Sequence, residues 1–121
     1  MYAQVKDSVR LASDYDYEII FGDNCSVDSS QQILRELAKN DKKVKVIFNN
    51  RNFGPDRSFY NLLFSATGDA VIGIVCDLQE PPEMIPKFIK EWESGNLIVW
   101  GQKIKSKEEK IKRVCRVLYY K

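Results

Sequence analysis

Ala70-Val71-Ile72-Gly73-Ile74-Val75-Cys76-Asp77-Leu78-Gln79-Glu80-Pro81-Pro82-Glu83 is the stretch on which the reading of this chain turns. An apolar, β-branched run stops at Asp77, a second polar group follows at Gln79, and Pro81-Pro82 open a predicted helix. A continuous apolar run predicts a strand over 70–76 that is buried on both faces. Such strands are usually parallel, and parallel sheets bind ligands outside the carboxyl ends of their strands. Asp77 falls at that place. Asp77 and Gln79 are two residues apart, so in extended chain they project the same way. Together they offer oxygens to a hard cation or a ligand hydroxyl. The same pair would serve equally well to satisfy turn and helix-entry backbone groups, and spacing leaves both readings open.

On the amino-terminal side of this run, residues 3–13 place Val5, Val9 and Ala12 on one helical stripe, and Asp14-Tyr15-Asp16 breaks it. Tyr17-Glu18-Ile19-Ile20-Phe21 predicts a short strand ending in the turn-forming cluster Gly22-Asp23-Asn24-Cys25-Ser26-Val27-Asp28. A helix is predicted from about 29 to 40, with Ile33, Leu34 and Leu37 as its core face and Asp28 and Gln31 at capping-box spacing. Val44-Lys45-Val46-Ile47-Phe48 predicts the second strand, and 49–55 is a loop without apolar period. Pro55 suits the first helical position. The helix it opens carries Phe59, Leu62, Leu63 and Ala66, with Gly68 as its expected left-handed cap.

On the carboxyl side, a helix through Met84, Ile85, Phe88, Ile89 and Trp92 stops at Gly95. Leu97-Ile98-Val99-Trp100 predicts a fourth strand, and a basic helix over about 108–120 aligns Ile111, Val114, Cys115 and Leu118. Trp92 and Trp100 read as core. Strict alternation of helix and strand predicts an α/β layered domain with a mostly parallel sheet, one domain over residues 1–121.

Composition narrows the function classes. The chain has 121 residues, 44% apolar and 30% charged, with a net charge of +2, too small to argue for nucleic acid. No run is long enough for a membrane span and the amino terminus lacks the form of a signal peptide, so a cytoplasmic protein is expected. Cys25, Cys76 and Cys115 are scattered and odd in number, which argues against a disulfide framework and a zinc site. Cys76 is expected within a buried strand. There is no histidine, which removes Ser-His and Cys-His nucleophile systems.

Asp23 lies at the end of the first predicted strand and Asp77 at the end of the third. In a doubly wound sheet those ends share one edge, so both carboxylates are placed to line one crevice. A base or sugar hydrogen-bonded to Asp23 and a metal-bound diphosphate near Asp77 is the functional reading. Magnesium and manganese often need only one or two carboxylates beside phosphate oxygens. The structural alternative is that Asp23 and Asp28 organise a turn and a helix start, which spacing favours for Asp28 and leaves open for Asp23. Arg51 suits a bidentate phosphate contact or a solvated loop charge. The basic helix with Lys110, Lys112, Arg113, Arg116, Tyr119, Tyr120 and Lys121 suits an anionic membrane surface or, more commonly, a solvated face.

The motifs taken together resemble a known family. Tyr17 to Phe21 followed by Asp23 to Asp28 resembles the "EIIFVDDGSTD" segment of family 2 glycosyltransferases, and Arg51-Asn52-Phe53-Gly54 their "RNFG" loop. Ala66-Thr67-Gly68-Asp69-Ala70 resembles "ATGDA". Asp77-Leu78-Gln79-Glu80-Pro81-Pro82-Glu83 resembles the "DADLQDPPE" signature of the dolichyl-phosphate mannose synthase and polyprenyl-phosphate glycosyltransferase branch. Four motifs in order over about residues 3–121 make a specific signal. The resemblance implies a GT-A fold, a three-layer α/β/α sandwich. It further implies inverting, metal-assisted transfer of a sugar from a UDP- or GDP-linked donor to a polyprenyl-phosphate or saccharide acceptor. Under it Asp23 reads the nucleotide base, Asp77 and Gln79 belong to the element that holds Mg²⁺ or Mn²⁺ and the diphosphate, and Arg51 lies in the nucleotide-sugar pocket.

The departures bear on that expectation. Val75 stands where the family's first metal-binding aspartate is usual, which implies weaker metal binding, another ligand set or a silent site. Asn24 and Cys25 replace the usual Asp-Gly. The family's opening strand has no counterpart here, and its loss exposes apolar strand edges. The family's catalytic base falls beyond Lys121. The expected protein is therefore the nucleotide-sugar-binding core of such an enzyme, with a catalytically inactive nucleotide-sugar-binding or partner-binding module as the alternative. A homo-oligomer and a peripheral position at the inner membrane face complete the expectations.

Overall fold

In the computed structural model the described residues are 1–11, 15–77 and 79–102, and the chain divides after Lys90 into two units, of which the second is described only as far as residue 102. The expected basic helix over 108–120 and Cys115 lie outside the described residues. In the first unit α1 (Tyr2–Arg10) is followed by β1 (Ile19–Asp23), α2 (Ser30–Asn40), β2 (Val44–Phe48) and α3 (Pro55–Ser65). A short 3₁₀ turn, Pro82–Met84, leads into α4 (Ile85–Glu93). The α/β class with parallel pairing is therefore as expected.

β1 and β2 pair in parallel with Ile19 opposite Val44 and Asp23 opposite Phe48. A parallel pair needs a crossover, and α2 supplies it. The sheet register shows how the layers stack. Gly22 and Ile47 are register partners, and a Cβ on Gly22 would lie 2.7 Å from Leu62 Cδ1, so α3 packs on that face. Asp23 and Phe48 point the opposite way. Asp23 accepts from Gln31 of α2, and the Arg35 guanidinium of α2 sits 4.2 Å from the Phe48 ring centre. Helices thus cover both faces of the two strands, the α/β/α order expected of the GT-A class. Leu34 and Leu37 of α2 are part-buried as expected, whereas Ile33 is exposed.

Three ties fasten the elements. Tyr2 Oη and Lys6 Nζ, one turn apart on α1, both donate to Asp41 Oδ2 beyond α2, Lys6 at 2.8 Å. That ion pair raises the Lys6 ammonium above its usual range, and the Lys6 and Tyr2 donors hold the Asp41 carboxyl below the usual carboxylate range. Glu18, just ahead of β1, pairs with Lys45 of β2 and accepts from both Thr67 N and Thr67 Oγ1 at 2.7 Å. Pro82, fully buried, lies in the turn on which α1 packs, next to buried Ile85.

Several expectations are corrected. Residues 71–75 form no ladder, and Val71 and Val75 are exposed, so the predicted strand over 70–76 is not paired and Cys76 is exposed. A buried parallel strand needs a neighbour, and among the described residues β1 pairs with β2 alone. Residues 71–75 instead approach α3, where a Cβ on Gly73 would meet Phe59 Cε2 at 2.6 Å. Gly68 does not adopt the left-handed conformation, and α3 ends at Ala66 in extended backbone. α2 starts near the predicted position, with Ser29 as its N-cap, but the expected capping box between Asp28 and Gln31 is not formed, because Gln31 turns back to Asp23 and the Ser26 carbonyl.

In the second unit α4 ends as predicted. Gly95 has φ +92°, its N–H donates to the Trp92 carbonyl at 2.8 Å, and Asn96 N donates to the Glu91 carbonyl at 3.3 Å. That pairing satisfies the last helical carbonyls and favours glycine at the left-handed position. The predicted strand 97–100 is not formed. Trp100 is 87% exposed, so it is not core, whereas Trp92 is part-buried.

Candidate functional site

The site is built at the carboxyl end of β1, where a strand gives way to a turn and a helix. Asp23 is the last residue of β1 and is 4% exposed. Burial pushes its carboxyl up, but donation from Ser26 N at 3.1 Å and Gln31 Nε2 at 3.0 Å outweighs that and holds it below the usual carboxylate range. Asp23 is therefore an anion that already organises the β1–α2 turn, whatever else it meets. Cys25 follows with φ +68°, a conformation that favours glycine. Glycine is what the resemblance leads one to expect at that position. Asp28 caps locally, with Ser30 N donating to its Oδ1 at 2.9 Å.

Asn24 is the hub that sequence reasoning passed over. Its Oδ1 accepts from Asn49 Nδ2 at 3.1 Å and from Phe53 N at 3.0 Å, and its Nδ2 donates to Asn52 Oδ1 at 2.7 Å. Asn52 Oδ1 also accepts from Gly54 N at 2.9 Å. Asn49 Nδ2 donates in addition to Ser58 Oγ of α3 at 3.0 Å. Backbone N–H groups only donate, so Phe53 N and Gly54 N fix the orientation of both amides. The loop between β2 and α3 is thus fastened to the end of β1. Arg51 rides on that loop, exposed, with its guanidinium 4.7 Å from the Phe53 ring centre. The only sequence signal for this network was the density of Asn in 49–52.

The second half of the expected site lies in the 75–80 turn. Asp77 is exposed, and Gln79 N donates to its Oδ1 at 2.9 Å. Glu80 Oε2 accepts from Val75 N at 3.1 Å, so a second carboxylate shares this turn. Gln79 is exposed as well. Val75 lines a mostly apolar groove of about 540 Å³ with Pro55, Asp56, Ser58, Phe59, Tyr60 and Leu62 of α3. The position where an acidic metal ligand was expected therefore carries an exposed apolar side chain at the edge of this groove, and the carboxylate among the lining residues is Asp56. No group of three or more His, Cys, Asp or Glu able to hold a metal occurs among the described residues. The donor set at Asp77 suits a hard cation only if other oxygens, such as those of a diphosphate, complete its shell.

Comparison with known proteins places the chain. The glycosyl transferase family 2 model matches residues 3–115. A prophage bactoprenol glucosyl transferase homolog of Escherichia coli K12 is 35% identical over 121 residues, covering 99% of this chain and 39% of that protein. The bactoprenol glucosyl transferase of Shigella phage SfX has the same identity and coverage. The uncharacterized glycosyltransferase YkcC of Bacillus subtilis 168 is 36% identical, covering 99% of this chain and 37% of that protein. The chain thus spans less than half the length of these relatives. With the family's motifs laid along an α/β frame and the match running almost end to end, the chain belongs to glycosyl transferase family 2.

Proposed function

We propose that this chain is the nucleotide-sugar-binding part of a glycosyltransferase that delivers a sugar to a polyprenyl-phosphate acceptor. The observation that supports it most is the alignment of 99% of the chain with proteins named bactoprenol glucosyl transferase. The donor is a UDP- or GDP-linked sugar. Asp23 and the 49–54 loop meet its nucleotide, and Asp77 with Gln79 meets its diphosphate. A Mg²⁺ or Mn²⁺ ion would be held by Asp77, with Gln79 as a neutral oxygen donor, and would neutralise charge on the departing diphosphate. The chain's own part is to hold the leaving group. Arg51 offers a planar, doubly donating cation, and the buried Asp23 anion keeps the turn beneath it in one shape.

Val75 supports a second reading, in which the same pocket binds nucleotide sugar without transfer, because an apolar side chain stands where a metal ligand is expected. The test of the main reading is a thermal melt with UDP- and GDP-sugars in the presence of Mn²⁺. A ligand at a hundredfold excess over its Kd stabilises the fold by about 2.7 kcal/mol, which moves Tm by roughly 10 °C or more in a domain of this size. One nucleotide class producing such a shift supports the donor site. No shift with either class contradicts it.

A further inference from the structure

We infer that Asn24 is a positioning residue: its amide clamps the 49–54 loop to the end of β1 and so fixes the Arg51–Phe53 pair for a nucleoside diphosphate. The inference rests on the donor-site reading above and deepens it. Each bond of the clamp has a defined direction. Asn24 Oδ1 takes Phe53 N and Asn49 Nδ2, and Asn24 Nδ2 gives to Asn52 Oδ1. Arg51 stands between those anchors, with Asn49 on one side and Asn52 and Phe53 on the other. Its guanidinium lies over the ring whose own backbone Asn24 holds. A long, exposed side chain loses much rotamer freedom on meeting an anion. A ring fixed beneath it limits that freedom before the ligand arrives.

The clamp requires an amide. A carboxylate at position 24 keeps the acceptor for Phe53 N but sets an acceptor against Asn52 Oδ1. Asn52 has no remedy in turning its own amide, because Gly54 N already donates to that oxygen.

The test is calorimetric titration of UDP and GDP into the wild-type protein, Asn24→Ala, Arg51→Ala and the double variant, with trypsin cleavage after Arg51 followed in parallel. If Asn24 acts through Arg51, each single variant weakens binding about tenfold and the double variant is no weaker than Arg51→Ala alone. Cleavage after Arg51 is several-fold faster in Asn24→Ala. Losses that multiply in the double variant overturn the inference, as does wild-type affinity in Asn24→Ala. Should Asn24→Ala not fold, Asn52→Ala cuts the same clamp from the other side, with the same outcomes expected. Wild-type protein that binds neither nucleotide contradicts the donor-site reading and removes the ligand from this inference. Unchanged cleavage in Asn24→Ala contradicts the clamp itself, so the two failures are told apart.

Discussion

Cys25 holds a backbone conformation, φ +68°, that costs an L-residue with a side chain about 1 kcal/mol or more. Cys25→Gly removes that strain but gives back some chain entropy to the unfolded state. We expect a net stabilisation of about 0.5–1 kcal/mol in urea unfolding. Val75 is the other single position with a sharp expectation. At 57% exposure it tolerates a carboxylate, and Val75→Asp puts a second oxygen ligand two residues before Asp77. That variant is expected to bind nucleoside diphosphate more tightly in Mn²⁺ than the wild type, with no gain when the metal is chelated. Equal affinity with and without metal would remove Val75 from the account. Of the candidates Asp23, Asp77, Gln79 and Arg51, the place of Asp23 at a strand end was legible from residue type alone, whereas Asp77 was expected at the end of a strand that is not formed. The partners of Asp23 were not legible. Gln31 lies eight residues on, and only the actual path of the turn brings it back to the carboxylate. Asn24 was missed for the same reason, since its partners sit in a loop 25 to 29 residues away.

At the scale of elements, β1 and β2 were legible because short apolar runs between turn formers have few other uses. β1 lies two residues later than predicted, since its partner β2 begins only at Val44, after the turn through Lys42 and Lys43; Glu18, ahead of the ladder, meets Lys45 and Thr67 with its side chain. Those donors lower the Glu18 carboxyl to about 2, hydrogen bonding from Lys45 first. A depressed carboxyl stabilises the fold fully above its unfolded value, about 4.3, and that contribution fades as pH falls toward 2. Glu18→Ala is expected to cost about 1–2 kcal/mol near neutral pH. The cost should shrink as pH falls below about 4, which acid titration of both proteins would show. Gly22 is required by close approach, because a Cβ there meets Leu62 Cδ1 at 2.7 Å and Cγ at 3.1 Å. Gly22→Val should destabilise by about 1–3 kcal/mol, measured by the same urea series. The run 70–76 has the composition of a strand, but composition reports the tendency to pair and not the presence of a partner. Among the described residues β1 pairs with β2 alone, and the run meets Phe59 of α3 in place of a neighbouring strand.

For the whole molecule, helix–strand alternation was enough to predict an α/β frame with its polar groups gathered at strand ends, and the layers around β1 and β2 agree. No helix among the described residues is long and apolar enough to cross a membrane. The frame brings the β1–α2 turn and the β2–α3 loop together through Asn24 and Asn49. The central claim is that the carboxyl end of this frame binds a nucleoside diphosphate with help from Asp77. The most direct measurement is calorimetric titration of UDP and GDP, each with and without Mn²⁺, into the wild-type protein and Asp77→Ala. The account predicts saturable binding of one nucleotide, strengthened by Mn²⁺, with the metal-dependent part lost in Asp77→Ala while the melting temperature is unchanged. Folded wild-type protein that binds neither nucleotide under any of these conditions would contradict it.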